Sequence, residues 1–367
     1  MSPTKARVCI IGAGAAGLAL AHALSSRAIE LLICDAGKAG QGAIAASAGM
    51  IAADAEAAES LDPSSPAHRA FHSLARHSAQ IWPLWSETLL QNTGIDVQYR
   101  RSGVLVPGDD TGHAARMAAQ AGRFAITARG ALAEDAPGYP LAPGALFLPG
   151  EARLDPRALA RALQHAVRAA GARILEDSPV ERLVSTGGRI TGVQLAGGDV
   201  LNADAVVIAA GWAAARLHAC ADGLVPVKGQ ILRLDTGGDT SRWPVVRGDG
   251  VYIVPAPGGH VLAGASVEPG LDDTRTDTAT RDALMTQAGR LHPDAPRWRL
   301  VDHWAGVRPA FPDRMPRVGE AAPGLFVCLG GHRNGILLAP ALAEGLAREI
   351  TGEGRDAHLA PFAPGYG

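Results

Sequence analysis

The spacing of three glycines near the N-terminus constrains the fold more than any other feature of this sequence. The pattern Gly12-x-Gly14-x-x-Gly17 lies between a β-branched run at residues 7–11 and a stretch of small residues that ends near residue 26. In a strand–turn–helix unit, Gly12 permits the tight turn, Gly14 lets backbone approach a pyrophosphate, and Gly17 lets helix and strand pack closely. The helix start then offers N–H groups and a positive dipole end to the phosphates. The pattern therefore predicts a phosphate-binding turn.

An acidic residue stands in register with this turn. Residues 29–34 form a second buried run, and Asp35 follows at its end, 18 residues after Gly17. A carboxylate there can accept hydrogen bonds from both ribose hydroxyls and repels a 2′-phosphate, which argues against NADP. Together these residues predict a bound dinucleotide. NAD and FAD stay alternatives at this point, because both carry an adenosine pyrophosphate.

A second glycine-rich turn, near the C-terminus, favours a flavin. A predicted helix at residues 336–350 follows the segment Gly-Gly-His-Arg-Asn-Gly at residues 330–335. The N–H groups at the start of that helix could face a flavin carbonyl and stabilise the negative charge of a reduced ring. An ordinary glycine turn is the alternative interpretation.

Continuous apolar strands alternate with helices in three separated parts of the chain. Strands of this type are predicted at residues 7–11, 29–34, 172–175, 205–209 and 325–329. They indicate a parallel sheet that is covered on both faces. Longer strands at residues 225–234, 251–254 and 260–263 follow one another without helices between them, which indicates an antiparallel sheet. The predicted fold class is α/β, with a discontinuous Rossmann-type FAD-binding domain and an inserted, mainly antiparallel-sheet substrate domain.

The predicted domain boundaries follow from this change of pattern. Residues 1–90, 150–222 and 318–367 are assigned to the FAD-binding domain, and residues 91–149 and 223–317 to the substrate domain. Within them, residues 68–91 read as a helix and residues 97–106 as strands interrupted by Gly103. Asp155-Pro156 predicts a helix start and Gly171 the matching stop.

Composition and charge exclude several classes of protein. Of the 367 residues, 47% are hydrophobic and 19% are charged, which is typical of a globular chain rather than a disordered one. The formal net charge of -2 supplies no basic field, so nucleic-acid binding is not expected. The four cysteines show no pairing pattern, which favours a reducing compartment.

Two further features carry expectations about location and metals. Residues 8–26 are uncharged and imitate a signal peptide or a membrane span, but they contain the motif glycines and a second strand-like run follows them. We therefore expect a cytoplasmic protein. His68 and His72 have a ligand-like i, i+4 spacing without a third ligand nearby, so we expect a solvated helix face and no metal.

Several motifs together resemble the D-amino-acid oxidase superfamily of FAD-dependent oxidoreductases, and within it most closely the glycine oxidases of thiamine biosynthesis. The resemblance covers nearly the whole chain. Besides the glycine turn with Asp35, it rests on Ser-Ala-Gly-Met at 47–50, Val-Lys-Gly-Gln at 227–230, Tyr-Ile-Val-Pro at 252–255, Trp-Ala-Gly-Val-Arg-Pro at 304–309 and Gly-His-Arg-Asn-Gly-Ile-Leu-Leu-Ala-Pro at 331–340.

The resemblance implies non-covalent FAD, because relatives with a covalent link use a cysteine near the Arg308 region and none stands there. It implies that the adenosine diphosphate half lies against Gly12, Gly14, Ala15, Ala16, Gly17, Asp35, Ala36 and the backbone of Val180. Nearer the flavin ring it implies Ala48, Gly49, Met50 and Gly211. Around the pyrimidine end it implies His332, Arg333, Asn334, Gly335, Ile336 and Leu337.

The resemblance also implies a substrate site. Arg308 matches the arginine that holds the substrate carboxylate, and Tyr252 and Arg333 match residues around it. The loop between His332 and Arg333 is one residue shorter than in the glycine oxidases, so whether Arg333 faces the substrate stays open. Val267 stands in place of a larger methionine, which could admit a bulkier substrate.

The function implied is the FAD-dependent oxidative deamination of glycine or of a small D- or N-methyl amino acid. A hydride would pass from Cα to flavin N5, the imine would be hydrolysed, and O2 would reoxidise the flavin with formation of H2O2. No catalytic acid or base is expected, and Lys228 is either an aid to oxygen chemistry or a surface lysine. The alternatives are a D-amino acid dehydrogenase that passes electrons to a quinone or protein acceptor, and an FAD-binding subunit of a larger complex. Association of identical copies stays open.

Overall fold

The computed structural model describes residues 6–27, 29–108 and 112–365. The α-helices in these residues are α1 (Ala15–Leu24), α2 (Ala43–Ala46), α3 (Ala53–Ser60), α4 (Pro66–Thr93), α5 (His113–Arg123), α6 (Pro156–Ala169), α7 (Thr278–Leu291) and α8 (Gly335–Ile350). Short 3₁₀ helices span Ala133–Asp135, Gly211–Arg216, Ala219–Ala221, Ala295–Arg297 and Ala360–Phe362.

The β-strands of the same residues fall into four sheets. They are β1 (Ala6–Ile11), β2 (Ile29–Cys34), β3 (Met50–Ile51), β4 (Val104–Val106), β5 (Arg129–Gly130), β6 (Leu146–Leu148), β7 (Ala152–Arg153), β8 (Arg173–Leu175), β9 (Val180–Thr186), β10 (Arg189–Leu195), β11 (Val200–Asn202), β12 (Ala205–Ile208), β13 (Val225–Asp235), β14 (Val245–Gly248), β15 (Val251–Ala256), β16 (His260–Gly264), β17 (Glu268–Pro269), β18 (Arg299–Ala310), β19 (Arg317–Ala322) and β20 (Leu325–Leu329).

The first large sheet has the strand order β19-β20-β12-β1-β2-β8. All neighbouring pairs are parallel except the edge pair of β19 with β20. Successive strand residues point to opposite faces, so Ile10 joins the core that contains Leu18 of α1, while Cys9 joins the core that contains Val193 of β10. Helices cover one face and the three-stranded sheet β11-β10-β9 covers the other. The predicted parallel sheet with two covered faces is confirmed.

The second large sheet is mainly antiparallel and has nine strands. Its order is β17-β13-β16-β15-β14-β4-β6-β5, and β18 pairs along β13 over the full length of that strand. Helix α7 packs on one face, where Leu284 and Ala288 join a core with Leu232 and Ile253. The strands of this sheet come from residues 104–148 and 225–310, between the segments that build the first sheet. The α/β fold class is confirmed, and the domain boundaries drawn from the sequence stay predictions.

The helix predicted to start at Asp155-Pro156 is confirmed at its cap. The side chain of Asp155 accepts hydrogen bonds from the backbone N–H groups of Arg157 and Ala158, and Pro156 occupies the first turn. Gly171, just beyond the end of α6, has a positive φ of 89°. The helix predicted at residues 68–91 corresponds to α4.

The strand interpretation of residues 97–106 is wrong over most of its length. Only Val104–Val106 form a strand, because Gln98 and Gly103 have φ angles of 56° and 70° that no extended strand allows. Helix α7 and the long strand β18 were not predicted. In α7 the buried residues Leu284, Ala288 and Leu291 recur at helical spacing, which is the signal that could have revealed it.

The stretch at residues 8–26 that imitates a signal peptide forms most of β1 and all of α1. Across the described residues, no helix combines the length and the apolar character that crossing a membrane requires.

Candidate active site

A cavity of about 850 Å³ lies between the two large sheets. On one side it is bordered by the residues that follow the carboxyl ends of β1, β2, β12 and β20, among them Gly12, Asp35, Gly211 and Gly330. On the other side it is bordered by one face of the nine-stranded sheet. The carboxyl ends of strands next to a reversal of strand order are where open α/β sheets bind their ligands. The cavity is therefore the candidate active site.

The three motif glycines differ in why a side chain is missing at each position. Gly12 has a φ of 107°, and a Cβ on Gly17 would lie 1.9 Å from the carbonyl oxygen of Gly12. A Cβ on Gly14 would meet no protein atom within 4 Å. Packing inside the protein therefore requires Gly17 but not Gly14. Gly14 borders the cavity, so its missing side chain leaves room for a ligand.

The carboxylate of Asp35 is fixed at the cavity wall by two backbone donors. Its Oδ2 accepts a hydrogen bond from the N–H of Ala13 at 2.6 Å, and its Oδ1 accepts one from the N–H of Gly37 at 2.8 Å. A carboxylate has about four lone-pair positions, so acceptor capacity is left for ribose hydroxyls. The arrangement fits the role predicted for Asp35.

Two helix N-termini open into this cavity without a side-chain cap. Neither Gly14, before α1, nor Asn334, before α8, makes a capping hydrogen bond through its side chain. Ala15 and Ala16 of α1 and Gly335 of α8 line the cavity. Uncapped helix N-termini attract negative charge, so one suits a pyrophosphate and the other a flavin ring that gains negative charge on reduction.

Most residues implied for the cofactor line the cavity, and three do not. Those that line it are Gly12, Gly14, Ala15, Ala16, Asp35, Ala36, Ala48, Gly49, Met50, Val180, Gly211, His332, Arg333, Gly335 and Ile336. Gly17, Asn334 and Leu337 lie outside the lining. The carbonyl of Leu337 instead accepts hydrogen bonds from the side chains of Ser78 and Trp82. The residues at the cavity fit FAD, while their individual contacts with it stay predictions.

The loop before α8 is tied to the strand that carries Arg308. The backbone N–H of His332 donates to the carbonyl of Pro309 at 2.9 Å. Burial, assisted by the positive charges of Arg308 and Arg333, lowers the pKa of His332 to about 4. The imidazole at the cavity is therefore neutral at physiological pH.

Arg308 presents a half-buried guanidinium to the cavity. Its Nη1 lies 3.3 Å from the carbonyl oxygen of Ser266 and 3.5 Å from that of Lys228. Among the residues that the structure describes, no carboxylate forms an ion pair with it, which contradicts a structural salt bridge. Burial lowers the pKa of Arg308 below its ordinary value, but an arginine pKa starts so high that the group keeps its charge. The site thus holds an unneutralised positive charge.

Tyr252 lies on the same face of the sheet as this guanidinium. It pairs with Gly264 across β15 and β16, and a Cβ on Gly264 would lie 2.8 Å from the tyrosine hydroxyl oxygen. The glycine therefore provides the space that the ring occupies. Burial raises the pKa of Tyr252, so the phenol stays protonated and can donate a hydrogen bond into the cavity.

Arg333 differs from Arg308 in its partners. Its Nη2 lies 3.3 Å from Oε2 of Glu56 and 3.4 Å from Oε2 of Glu59. Both acids belong to α3. Arg333 lines the cavity, but its charge is shared with these carboxylates. Of the two arginines predicted to bind substrate, only Arg308 is free of an acidic partner among the described residues.

Arg247 and Glu59 are among the cavity residues that were not predicted from the sequence. Arg247 pairs directly with Tyr252 across the β14–β15 hairpin, so the two side chains share a face. Its Nη2 contacts Glu59 and lies 3.3 Å from Oε2 of Glu56. The hairpin register was the available signal for Arg247. Glu59 is brought to the cavity by the packing of α3, which local sequence does not reveal.

Lys228 is not the surface lysine that was one of the two expectations for it. Its Nζ lies 3.0 Å from Asp273 and 3.9 Å from Glu268, and only 5% of the residue is exposed. Its side chain lies outside the cavity lining, and the other expectation, an aid to oxygen chemistry, stays a prediction. Its contribution to the site is the backbone carbonyl that faces Arg308.

A cysteine, Cys328, does line the cavity. Burial raises the pKa of its thiol to about 12. Because the thiolate is the nucleophilic form, this cysteine is unreactive at physiological pH.

The histidines predicted to lie on a solvated helix face have separate partners. His68 accepts a hydrogen bond from the N–H of Asp62, and Nε2 of His72 lies 2.6 Å from Asp54. His72 is buried, so the prediction of solvation is wrong for this residue.

Three potential metal ligands meet elsewhere on the surface: the ligand atoms of His77, Asp356 and His358 lie within 4.8 Å of one another. The two imidazole rings stack at 4.1 Å. The pocket around them also contains Arg69, Arg76 and Arg123, whose positive charges oppose a cation.

Comparisons with known proteins show the family to which this chain belongs. Residues 7–349 match the family described as FAD dependent oxidoreductase. The chain is similar to a glycine oxidase of Geobacillus kaustophilus, with 32% identity over 97% of this chain and 96% of the relative. The crystal structure of glycine oxidase from the same organism superposes with a TM-score of 0.88 at 30% identity, covering 99% of this chain and 100% of the other. An iminodiacetate oxidase from Chelativorans superposes with a TM-score of 0.84 at 27% identity, covering 98% and 99%.

Proposed function

The chain belongs to the family of FAD-dependent oxidoreductases and is an FAD-dependent amino acid oxidoreductase, and from this premise we propose that it oxidises glycine or a small D- or N-methyl amino acid. FAD is bound without a covalent link, since the region around Arg308 contains no cysteine that could carry one. O2 is the electron acceptor, and the imine product is hydrolysed in water.

The observation that carries this proposal is the half-buried guanidinium of Arg308, which forms no ion pair with a carboxylate of the described residues. A guanidinium binds a carboxylate through two parallel hydrogen bonds, which fixes its orientation as well as its charge. Tyr252, on the same face of the sheet, supplies a further hydrogen-bond donor. The carboxylate of an amino acid is therefore the group that this part of the cavity recognises.

The role of the protein is to position the substrate and to exclude water from around it. Bound FAD supplies the two-electron oxidation, by accepting a hydride from the amine-bearing carbon. Arg308 and Tyr252 set the position of that carbon by holding the carboxylate, and the apolar residues Ile231, Met50 and Ala265 exclude water around it. His332, with a pKa of about 4, is too weak a base to take a proton from an ammonium group, and none of the described carboxylates pairs with Arg308. The substrate amine must therefore itself be neutral when it is oxidised.

The residue at position 267 affects how large a substrate the cavity can hold. Val267 lines the cavity and is 63% exposed. A short β-branched side chain leaves more room than a methionine, so small side chains or N-methyl groups fit beside it. We therefore extend the proposed substrates beyond glycine.

Anaerobic titration of the purified holoenzyme with glycine, sarcosine, D-alanine, D-proline and L-alanine tests the proposal. We expect glycine or one of the small D- or N-methyl amino acids to bleach the yellow flavin. Bleaching by none of them contradicts the proposal. A second measurement, peroxide formation in air, tests the acceptor: bleaching without peroxide would assign the chain to the dehydrogenases that use a quinone or protein acceptor.

A further inference from the structure

Four charged side chains form a compact cluster at the substrate end of the cavity. Arg247 and Arg333 each lie 3.3 Å from Oε2 of Glu56, and both also pair with Glu59. Arg247 and Glu56 are 3% and 8% exposed, so the inner half of the cluster is shielded from solvent. Glu59 is half-buried, and Arg333 reaches the surface. Glu59, Arg247 and Arg333 line the cavity, and Glu56 lies outside the lining.

The charges of this cluster cancel. Burial opposes the ionisation of Glu56, but the charges of Arg333 and Arg247 hold its pKa below the usual value. Burial lowers the pKa of Arg247 to about 10, at which the group is still protonated at neutral pH. Two guanidinium groups thus face two carboxylates, whereas Arg308 forms no ion pair with an acid among the described residues. Glu268, whose charge also reaches Arg308, is itself held by Lys228 at 3.9 Å.

Tyr252 separates Arg308 from the cluster in the strand order of the sheet. Arg308 is on β18, Tyr252 on β15 and its cross-strand partner Arg247 on β14, and the order of these strands is β18-β13-β16-β15-β14. A substrate that is held by Arg308 and extends along this face past Tyr252 reaches Arg247 and Glu59. Any second charged group on the substrate meets Glu59 at the cavity surface.

We propose that Glu59 determines specificity by occupying the anion position between Arg247 and Arg333, so that the site accepts substrates with one carboxylate and rejects those with two. The inference rests on the proposed function, because it takes Arg308 as the carboxylate anchor. A second carboxylate beside the half-buried Glu59 suffers like-charge repulsion, whereas a neutral amide of the same shape does not.

Two ligands of nearly the same shape distinguish one carboxylate from two, and the measurement needs only their binding and no oxidation. Succinamate carries one carboxylate and one amide, and succinate carries two carboxylates. Their binding to the oxidised holoenzyme is measured by the change in flavin absorbance and by calorimetry, for the wild type and for Glu59→Gln. Asp272→Asn is the matched control, since Asp272 lines the same cavity but pairs with Arg216 at 3.7 Å.

We expect the wild type to bind succinamate at least about tenfold more tightly than succinate, and Glu59→Gln to shift that ratio at least about tenfold towards succinate. The Asp272→Asn control removes one negative charge but leaves the ion pair of Arg247 with Glu59 intact. Its ratio of succinamate affinity to succinate affinity should therefore stay within about threefold of the wild-type ratio. Equal binding of the two ligands by the wild type, or an unchanged ratio in Glu59→Gln, overturns the role of Glu59.

Failure of the proposed function has a different signature. If neither ligand binds the wild type, the carboxylate anchor itself is wrong and both proposals fall. If Glu59→Gln does not retain FAD, Arg247→Gln provides the second test, because it removes a positive charge beside Glu59 instead of the negative charge of Glu59 itself. It leaves Glu59 less compensated, so the preference for succinamate must grow, and a ratio that stays constant or falls overturns the inference.

Discussion

The guanidinium of Arg308 fills the space beside Gly229. A Cβ on Gly229 would lie 2.2 Å from Nη2 and 2.4 Å from Nη1 of Arg308. Gly229 pairs with Gly306 across β13 and β18, which places it diagonally from Arg308 on the same face of the sheet. The absence of a side chain at residue 229 is therefore a condition for the arginine to lie where it does.

Gly229→Ala should displace this guanidinium and weaken the hold on the substrate carboxylate. Charge-assisted hydrogen bonds contribute about 1.5–3 kcal/mol each, so we expect KM to rise at least about tenfold while the flavin content is retained. Steady-state kinetics and the flavin absorbance of the purified protein provide the measurement. Gly238→Ala, whose Cβ would lie 4.0 Å from its neighbour Thr236, is the control. A wild-type KM in Gly229→Ala would show that Arg308 is not positioned through this contact.

Gly17→Ala and Gly14→Ala should have different effects, because only Gly17 is enclosed by protein atoms. A methyl group 1.9 Å from the carbonyl of Gly12 must push α1 away from β1, and such overpacking costs about 1–3 kcal/mol. We therefore expect Gly17→Ala to lower both the unfolding temperature of the apoprotein and its affinity for FAD.

Gly14→Ala should leave the apoprotein as stable as the wild type, since its methyl group meets open space. Its FAD affinity should nevertheless fall at least about tenfold, because the backbone at this position must approach the pyrophosphate. Thermal unfolding of the apoprotein and quenching of FAD fluorescence separate the two effects. Wild-type FAD affinity in Gly14→Ala would contradict the placement of the pyrophosphate.

His332 should make the folded protein less stable in mild acid. Its pKa is lowered from 6.5 to about 4, first by burial and then by the nearby arginines. Below pH 6.5 the unfolded chain therefore binds a proton that the folded chain does not bind until about pH 4, so the free energy of unfolding falls as the pH drops through this window. The loss is at most about 3 kcal/mol, at about 1.4 kcal/mol for each pKa unit.

His332→Gln removes this titration and should flatten the stability profile between pH 6.5 and 4. Urea unfolding of wild type and variant at several pH values, with FAD in excess, provides the comparison. Parallel profiles for the two proteins would show that another group causes the acid sensitivity.

Residues whose structural role depends on neighbours close in the sequence were predictable from the sequence. Gly12 and Gly17 follow from the steric demands of a strand–turn–helix unit, and Asp155 caps α6 through its immediate neighbours. The alternation of apolar strands likewise specified the covered parallel sheet. In each case the partner residues lie close in sequence or follow from a simple periodicity.

Residues brought together by tertiary packing were not predictable in the same way. Arg333 was expected to bind substrate, yet α3 places two acids beside it that no local pattern reveals. Lys228 was one candidate for a surface position, but it is enclosed by Glu268, its partner on the short strand β17, and by Asp273 beyond that strand. Placing Arg247 at the cavity required the strand register of the β14–β15 hairpin, and the turn of this hairpin was not recognised in the sequence.

The central claim is that Arg308 holds the carboxylate of the substrate. Its direct test compares the wild type and Arg308→Lys on the amino acid that reduces the flavin fastest and on the carboxamide of that amino acid. A lysine keeps the charge but loses the planar fork. We expect the yellow flavin to be retained, and kcat/KM for the amino acid to fall by about 10- to 100-fold through a rise in KM. The amide, which offers no carboxylate, should be affected less than about threefold. An unchanged KM for the amino acid, or an equal loss with both compounds, would contradict the claim.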